Sequence, residues 1–228
     1  MKVLGIETAT TVCAAAIVSD GTVLHEVSVD QKYVHAERLM GMVGDVLARS
    51  QSTLAGVHGI AVSIGPGSFT GLRIGLSVAK GLAYASDRLL IGVPTLEALA
   101  HRVIDARTMD FDGLILSALE SRRDEVYCQL FRVAGPTLEP VWDERDLTFA
   151  TLVYELGERS VTITGDACRK LRDMLPASPR HRYVEPGVAI CSAASIALIG
   201  ERLFGEGKAD DAATLEPRYI KEFFSHTT

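Results

Sequence analysis

No stretch of this sequence approaches the roughly 20 apolar residues that a membrane-spanning helix needs. Every apolar run is broken by glycine, serine or a charge. No export signal is expected either. The first strand-like run, Met1-Lys2-Val3-Leu4-Gly5-Ile6-Glu7, meets an acid before an apolar signal core can form. A cytoplasmic protein, with no membrane partner, is expected. The four cysteines, Cys13, Cys128, Cys168 and Cys191, include no C-x-x-C pair. Their spacing and mostly apolar neighbours predict reduced, buried thiols. Positive charge is also in deficit: 23 Lys and Arg against 29 Asp and Glu give a net charge of −6. A protein that grips a nucleic-acid backbone unaided carries a basic patch. The nearest approach here is scattered, Arg122-Arg123 and Arg180 with Arg182. Strong direct RNA binding by this chain alone is therefore not expected.

The chain has 228 residues, 47% of them hydrophobic, enough for one large domain or two small lobes. Residues 3–6 and 12–18 read as strands, and Asp20-Gly21 is a two-residue hairpin signal leading into an alternating third strand, Thr22 to Val29. A helix is predicted from His35 to Ser50, with Leu39, Val43, Val46 and Leu47 at helical spacing and Gly41, Gly44 and Ala48 on a flatter face. Residues 59–64 form a strand. A second helix follows over Leu72 to Ala85; its apolar residues cover nearly the whole circumference, which predicts burial on more than one side. After a strand at Leu89 to Val93, Pro94-Thr95 opens a third helix with Thr95 as its N-cap.

The second half repeats the plan. Strands are predicted at Leu114 to Leu119, at Glu125 to Val133 with a turn at Gly135-Pro136, and at Val161 to Thr164 ending in Gly165-Asp166. Helices are predicted near 148–157, after Asp166, and at Ala189 to Phe204. Two passes suggest a duplication with a link near Arg107 to Gly113. Loose structure is expected at Pro176 to Arg182 and Gly205 to Ala213.

One segment carries chemical information: Gly65-Pro66-Gly67-Ser68-Phe69-Thr70-Gly71-Leu72-Arg73-Ile74-Gly75. A glycine-rich turn between strand and helix can aim backbone N–H groups at a phosphate or carboxylate. Equally, it can be a tight corner that packs the helix. It is not a Walker A loop, since no Gly-Lys-Ser/Thr closes it. G-x-S-x-G does not fit around Ser68, and Thr70 stands where a dinucleotide fingerprint needs glycine.

This run resembles the signature of the TsaB family, also called YeaZ. Four further stretches resemble that family in order: Leu4-Gly5-Ile6-Glu7-Thr8-Ala9-Thr10, His35-Ala36-Glu37-Arg38-Leu39, Ser121-Arg122-Arg123-Asp124-Glu125-Val126-Tyr127 and Pro217-Arg218-Tyr219-Ile220-Lys221. The resemblance implies an α/β chain of the actin, Hsp70 and sugar-kinase superfold: a duplicated βββαβα unit in two lobes. The first lobe would span 1–107 and carry the partner-binding helices; the smaller second lobe would span 108–228, its tail returning to the first.

The family is a shortened paralogue of TsaD, which transfers threonylcarbamoyl to a tRNA adenosine. A non-catalytic role is implied, binding TsaD and supporting the ATPase TsaE, with tRNA met only through the complex and a homodimer formed in isolation. TsaD-like proteins carry an H-x-x-x-H metal pair. Thr95 and Leu99 stand there in this chain, and no two of the histidines 25, 35, 58, 101, 181 and 226 are four apart. No metal is expected, and surface or capping roles are expected of the histidines. A weakened nucleotide site for ATP or ADP would use Glu7, Thr8, Gly65, Gly67 and Ser68, with Glu120 as the matching acid of the second lobe; none is required for the implied role. The partner surface is expected at Leu39, Met42, Leu72, Gly75, Leu76, Ala79 and Leu82. An independent ATPase, a metallopeptidase and a regulatory binding protein of the same fold are the competing readings.

Overall fold

The computed structural model describes residues 1–106, 113–135, 137–175 and 177–220. β1 (Lys2–Glu7), β2 (Val12–Ser19) and β3 (Thr22–Asp30) form an antiparallel meander. Its hairpin turns through Asp20 at φ 51° and Gly21 at φ 73°, the pair of left-handed residues that a two-residue loop between right-twisted strands requires. Then come α1 (His35–Arg49), β4 (Gly59–Gly65), α2 (Phe69–Ser86), β5 (Leu89–Pro94) and α3 (Thr95–Asp105). The first sheet has the order β3-β2-β1-β4-β5, with β4 parallel to both β1 and β5.

The second pass comprises β6 (Leu114–Glu120), β7 (Glu125–Ala134), β8 (Thr137–Pro140), β9 (Arg145–Thr148), α4 (Phe149–Leu156), β10 (Val161–Thr164), α5 (Cys168–Met174), β11 (His181–Tyr183) and α6 (Ala193–Gly205). Its sheet runs β11-β10-β6-β7-β8, with β9 pairing the other stretch of β7. Meander first, then two parallel strands: the two sheets have one plan. The duplicated two-lobe α/β fold expected from the sequence is the fold observed.

Packing explains the strand composition. α1 and α2 cover one face of the first sheet, placing Leu39, Val43, Val46, Leu76 and Ala79 against Leu4, Ile6, Ile60 and Val62. α6 crosses back to cover the other face, where Ile196, Ala197 and Ile199 meet Val3, Ala61 and Ile91. A sheet covered on both sides needs apolar residues at every position, so Val12 to Val18 are all buried. The approach of α6 is close: a Cβ on Gly5 would lie 2.1 Å from the carbonyl oxygen of Ala193. In the second lobe, Ala100 and Val103 of α3 pack on Ile115 and Phe131, while Phe149, Leu152 and Leu171 from α4 and α5 fill the opposite core. No helix among the described residues is long and apolar enough to cross a membrane.

Several expectations need correction. α2 starts at Phe69, three residues before Leu72, because the Ser68 hydroxyl accepts the Gly71 N–H at 3.2 Å. It is buried along one face only: Arg73, Ser77, Gly81 and Tyr84 are exposed, and Ile74, Val78 and Leu82 are half-buried flanks. Thr95 is the first residue of α3 rather than its cap; Pro94 occupies the cap position and makes no side-chain bond. The last helix begins at Ala193, where Ser192 caps the Ser195 N–H. Strands β8, β9 and β11 had no sequence signal, and β11 begins within the stretch expected to be loose. The interlobe link expected near Arg107 to Gly113 falls largely on 107–112, outside the described residues, as do Pro136, Pro176, Lys221 and His226.

Candidate functional site

The parallel strands of both sheets end at one cleft, the position where open α/β sheets place ligands. Its volume is about 660 Å³. The first lobe contributes the β1–β2 turn, the start of α1 and the glycine loop with the start of α2. The second contributes Leu119 to Arg122, Tyr127 and Asp166, and Arg218 to Ile220 of the C-terminal segment complete the wall.

The glycine loop is built for close packing. A Cβ on Gly67 would lie 2.2 Å from the Ala9 oxygen, one on Gly71 2.2 Å from the Thr8 oxygen, and one on Gly75 2.1 Å from Thr8 Oγ1. Bare backbone therefore lets α2 seat directly on the β1–β2 turn. Several of the loop's N–H groups are committed: Ser68 donates to the Ala9 carbonyl at 2.6 Å, Leu72 to the Ser68 carbonyl at 2.9 Å, and Gly65 to Thr95 Oγ1 at 3.2 Å. Of the two readings of this loop, the packed corner has the fuller set of contacts. Gly67 and Ser68 do line the cleft; Gly65 is buried behind them.

Glu7 and Thr8 are both 0% exposed, so the sequence places them in the site and the structure places them beneath its floor. Glu7 Oε1 accepts the Ala9 N–H at 2.5 Å and the Ser63 hydroxyl at 3.2 Å; Oε2 has no hydrogen-bond partner. Burial pushes the Glu7 carboxyl up to about 7, against the pull of those donors. A carboxyl in this state is a poor ligand for a hydrated magnesium ion. On the opposite wall Asp166 accepts the Glu120 N–H at 2.7 Å. Burial raises it to about 6, the donors of Glu120 and Ala167 lower it, and the Glu120 carboxylate raises it again. Asp166 was not among the expected site residues; its position at a strand end beside Gly165 was the available signal.

Thr95 and Leu99, which stand at the place of a metal pair, are engaged in the core. Thr95 is 0% exposed and takes the Gly65 N–H; Leu99 is 1% exposed beside Leu96 and Leu119. Of the histidines expected in surface or capping roles, two are buried. His35 Nε2 lies 3.2 Å from the Val12 oxygen, and His101 is held down to about 4 by burial and by Arg202.

The expected partner residues also lie inward. Leu39, Met42, Leu72, Gly75, Leu76 and Ala79 are buried within the first lobe, and Leu82 is half-buried. They face the sheet because the helical stripe that carries them is the core stripe. The outward face of the same helices holds Met40, Gly41, Gly44 and Ala48 on α1, and Ser77, Gly81, Tyr84 and Ala85 on α2.

A family model described as "TsaD: tRNA N6-adenosine threonylcarbamoyltransferase" matches residues 22–190. The tRNA threonylcarbamoyladenosine biosynthesis protein TsaB of Escherichia coli is 38% identical over 127 residues, covering 56% of this chain and 53% of that protein. The TsaB of Bacillus subtilis is 33% identical over 159 residues, covering 70% and 67%. The matched stretch thus spans about half to two thirds of the length of these curated relatives. Among solved structures, YeaZ from Pseudomonas aeruginosa superposes with a TM-score of 0.82 at 24% identity, over 96% of this chain and 99% of that one. At the level of fold alone, an inorganic polyphosphate/ATP-glucomannokinase from Arthrobacter superposes with a TM-score of 0.52 at 13% identity, over 89% and 99%. The two-lobe architecture is that of the actin, Hsp70 and sugar-kinase superfold, and the chain belongs to the TsaB (YeaZ) family, with a TsaD-like domain.

Proposed function

We propose that this chain is a non-catalytic, cytoplasmic subunit of the machinery that makes N6-threonylcarbamoyladenosine in tRNA. Its role is to bind the catalytic transferase TsaD and to support it together with the ATPase TsaE. In isolation the same face pairs two copies, and tRNA is met through the complex. No nucleotide or metal bound by this chain is required.

The observation that carries the partner role is a cost without a return in the single chain. Gly41 and Gly44 in α1 and Gly81 in α2 are exposed, and a Cβ on any of them would meet nothing within 4 Å. Glycine in a helix interior costs about 0.5–1 kcal/mol relative to alanine. Nothing within the lobe requires these three. A second helix backbone drawn close to this face would require them, and exposed Met40 and Tyr84 supply apolar area around them. Used by two copies of the chain, such a face gives an isologous dimer.

The test separates folding from binding. Gly44→Ala and Gly81→Ala are each expected to raise the thermal midpoint of the isolated chain, by the equivalent of about 0.5–1 kcal/mol. Gly81→Arg, a good helix former at the same open position, is expected to keep a midpoint no lower than wild type and to abolish co-purification with the transferase. A Gly81→Arg chain that still co-purifies in full yield would sink the assignment of this face.

A further inference from the structure

After α6 the described residues run back over the first lobe. Asp210 docks on the outer edge of β5: its N–H donates to the Leu90 carbonyl at 2.8 Å, and its carboxylate accepts the Gly92 N–H at 2.8 Å. Asp211 then closes a turn, accepting the Leu215 N–H at 2.9 Å through its carbonyl and the Ala213 N–H at 2.8 Å through its side chain. That turn directs Leu215 onto the first-lobe core, where its side chain and Ile64 fill the space a Cβ on Gly92 would take.

The next contacts fall on the glycine loop itself. The Arg218 N–H donates to the Ile64 carbonyl at 2.7 Å, and the Arg218 oxygen sits where a Cβ on Gly65 would come within 2.7 Å. Gly65 has φ 112°, so the loop's first residue is shaped around this segment. Tyr219 stacks against Phe69 with ring centroids 5.2 Å apart, and its hydroxyl accepts from Arg73 Nε at 3.0 Å. Arg73 in turn lies 3.9 Å over the Phe69 ring. Residues 218–220 thereby become part of the cleft wall.

From the same segment one side chain reaches the other lobe. Arg218 Nη1 is 3.5 Å from Glu144 Oε1, in the connection between β8 and β9. The carboxylate is mostly covered while the guanidinium is half-exposed. A bond of that kind is weak in isolation, and so biases an arrangement rather than fixing it.

We propose that residues 210–219 form a strap that latches the glycine loop and, through Arg218 and Glu144, draws the two lobes together across the cleft. Its hold on the first lobe combines hydrogen bonds to Leu90, Gly92 and Ile64 with the packing of Leu215 and Tyr219; among the described residues its ion pair to the second lobe is Arg218–Glu144. Release of the Arg218–Glu144 contact therefore loosens the two cleft walls against each other while the strap stays seated on β5 and the shared helices keep the lobes joined. The ion pair biases how closely the walls approach, and the aromatic contact at Tyr219 keeps the strap in register with the loop.

Hydrogen exchange on the full chain, read by mass spectrometry over residues 66–72 and 119–123, tests this. Arg218→Gln and Glu144→Gln are each expected to raise exchange in both segments roughly twofold to fivefold, the range a half-exposed ion pair supports. The double variant is expected to exchange no faster than either single one, because both remove the same contact. Unchanged exchange in the single variants overturns the proposal, and so does an additive increase in the double. Both substitutions are on partly exposed side chains and keep the strap's apolar anchors. Far-ultraviolet circular dichroism confirms the fold of each variant, and intrinsic fluorescence from Trp142, the chain's single tryptophan and two residues from Glu144, gives a second readout of the same loosening.

Discussion

Glu7 shows how a position at a strand end can change meaning without changing place. In sequence it is an acid after the first strand, where the superfold meets metal and phosphate. In the structure it is sealed under the cleft with one oxygen unpartnered. Its pKa in the folded chain is raised from 4.5 to about 7. Between those values the folded chain holds a proton that the unfolded chain has released. Stability from this group is therefore fully present below about pH 4.5 and is lost as pH rises to 7. The total is on the order of 3 kcal/mol. Asp166, raised to about 6, acts in the same direction, whereas His101, lowered to about 4, acts in the opposite one. Wild-type stability alone thus mixes several groups, Glu97, Asp105 and Glu144 also being raised by burial, and a difference measurement isolates one. In Glu7→Gln the neutral amide replaces the protonated acid, so wild type minus variant is expected to fall steadily from pH 4.5 to pH 7.5 in urea unfolding. A flat difference would mean that Glu7 is ionised in the folded chain throughout.

At the scale of elements, α2 carries two kinds of glycine that sequence cannot tell apart. Gly75 and Gly81 both interrupt an apolar helix. Gly75 faces Thr8 so closely that no side chain fits, while Gly81 faces open space. Gly75→Asp is expected to destabilise the chain by more than about 4 kcal/mol, since it both clashes with the β1–β2 turn and buries a charge. Gly81→Asp is expected to change stability by less than about 1 kcal/mol. Chemical unfolding of the two variants side by side checks the contrast. Loss of a partner in Gly75→Asp would accordingly report folding rather than binding.

The same distinction sets how far the sequence can be read. The succession of long strands and helices and the hairpin at Asp20-Gly21 were legible because period and turn chemistry are local. β8, β9 and β11 were not, being three or four residues long and specified by the neighbours they pair with. The glycine loop was legible as a motif; that Thr95 and Ala9 take up its N–H groups depends on residues far away in sequence. The residues expected to meet a partner lie in the core stripe, half a helical turn from the face proposed above. An apolar stripe marks what is buried, and residues such as Leu39 and Ala79 serve the lobe's own core. Function on a helix already packed on one side falls to the opposite, smaller residues.

Across the whole molecule, sequence order and packing order differ. The last helix, α6, belongs by position to the second pass, yet it covers the first sheet. α3 ends the first pass, yet Ala100 and Val103 pack on the second sheet. Each lobe therefore borrows a layer from the other. A fragment of residues 1–106 contains every strand of the first sheet and both helices of one face. It lacks Ile196, Ile199 and Phe204, and it exposes Val3, Ala61, Ile91 and Val93 on the other face. Burying large apolar side chains contributes about 1.5–3 kcal/mol each, and small domains are stable by only about 5–15 kcal/mol in total. Removing three such side chains from one face, and uncovering the residues they meet, costs an amount comparable to that whole margin. The fragment is expected to show no cooperative thermal transition and little chemical-shift dispersion in proton NMR. Fusing residues 190–220 to its C-terminus through a flexible linker is expected to restore both, since the fusion returns α6 and the strap. Cooperative unfolding of the unfused fragment would mean that the first lobe is independent, and that α6 is bound to it rather than part of it.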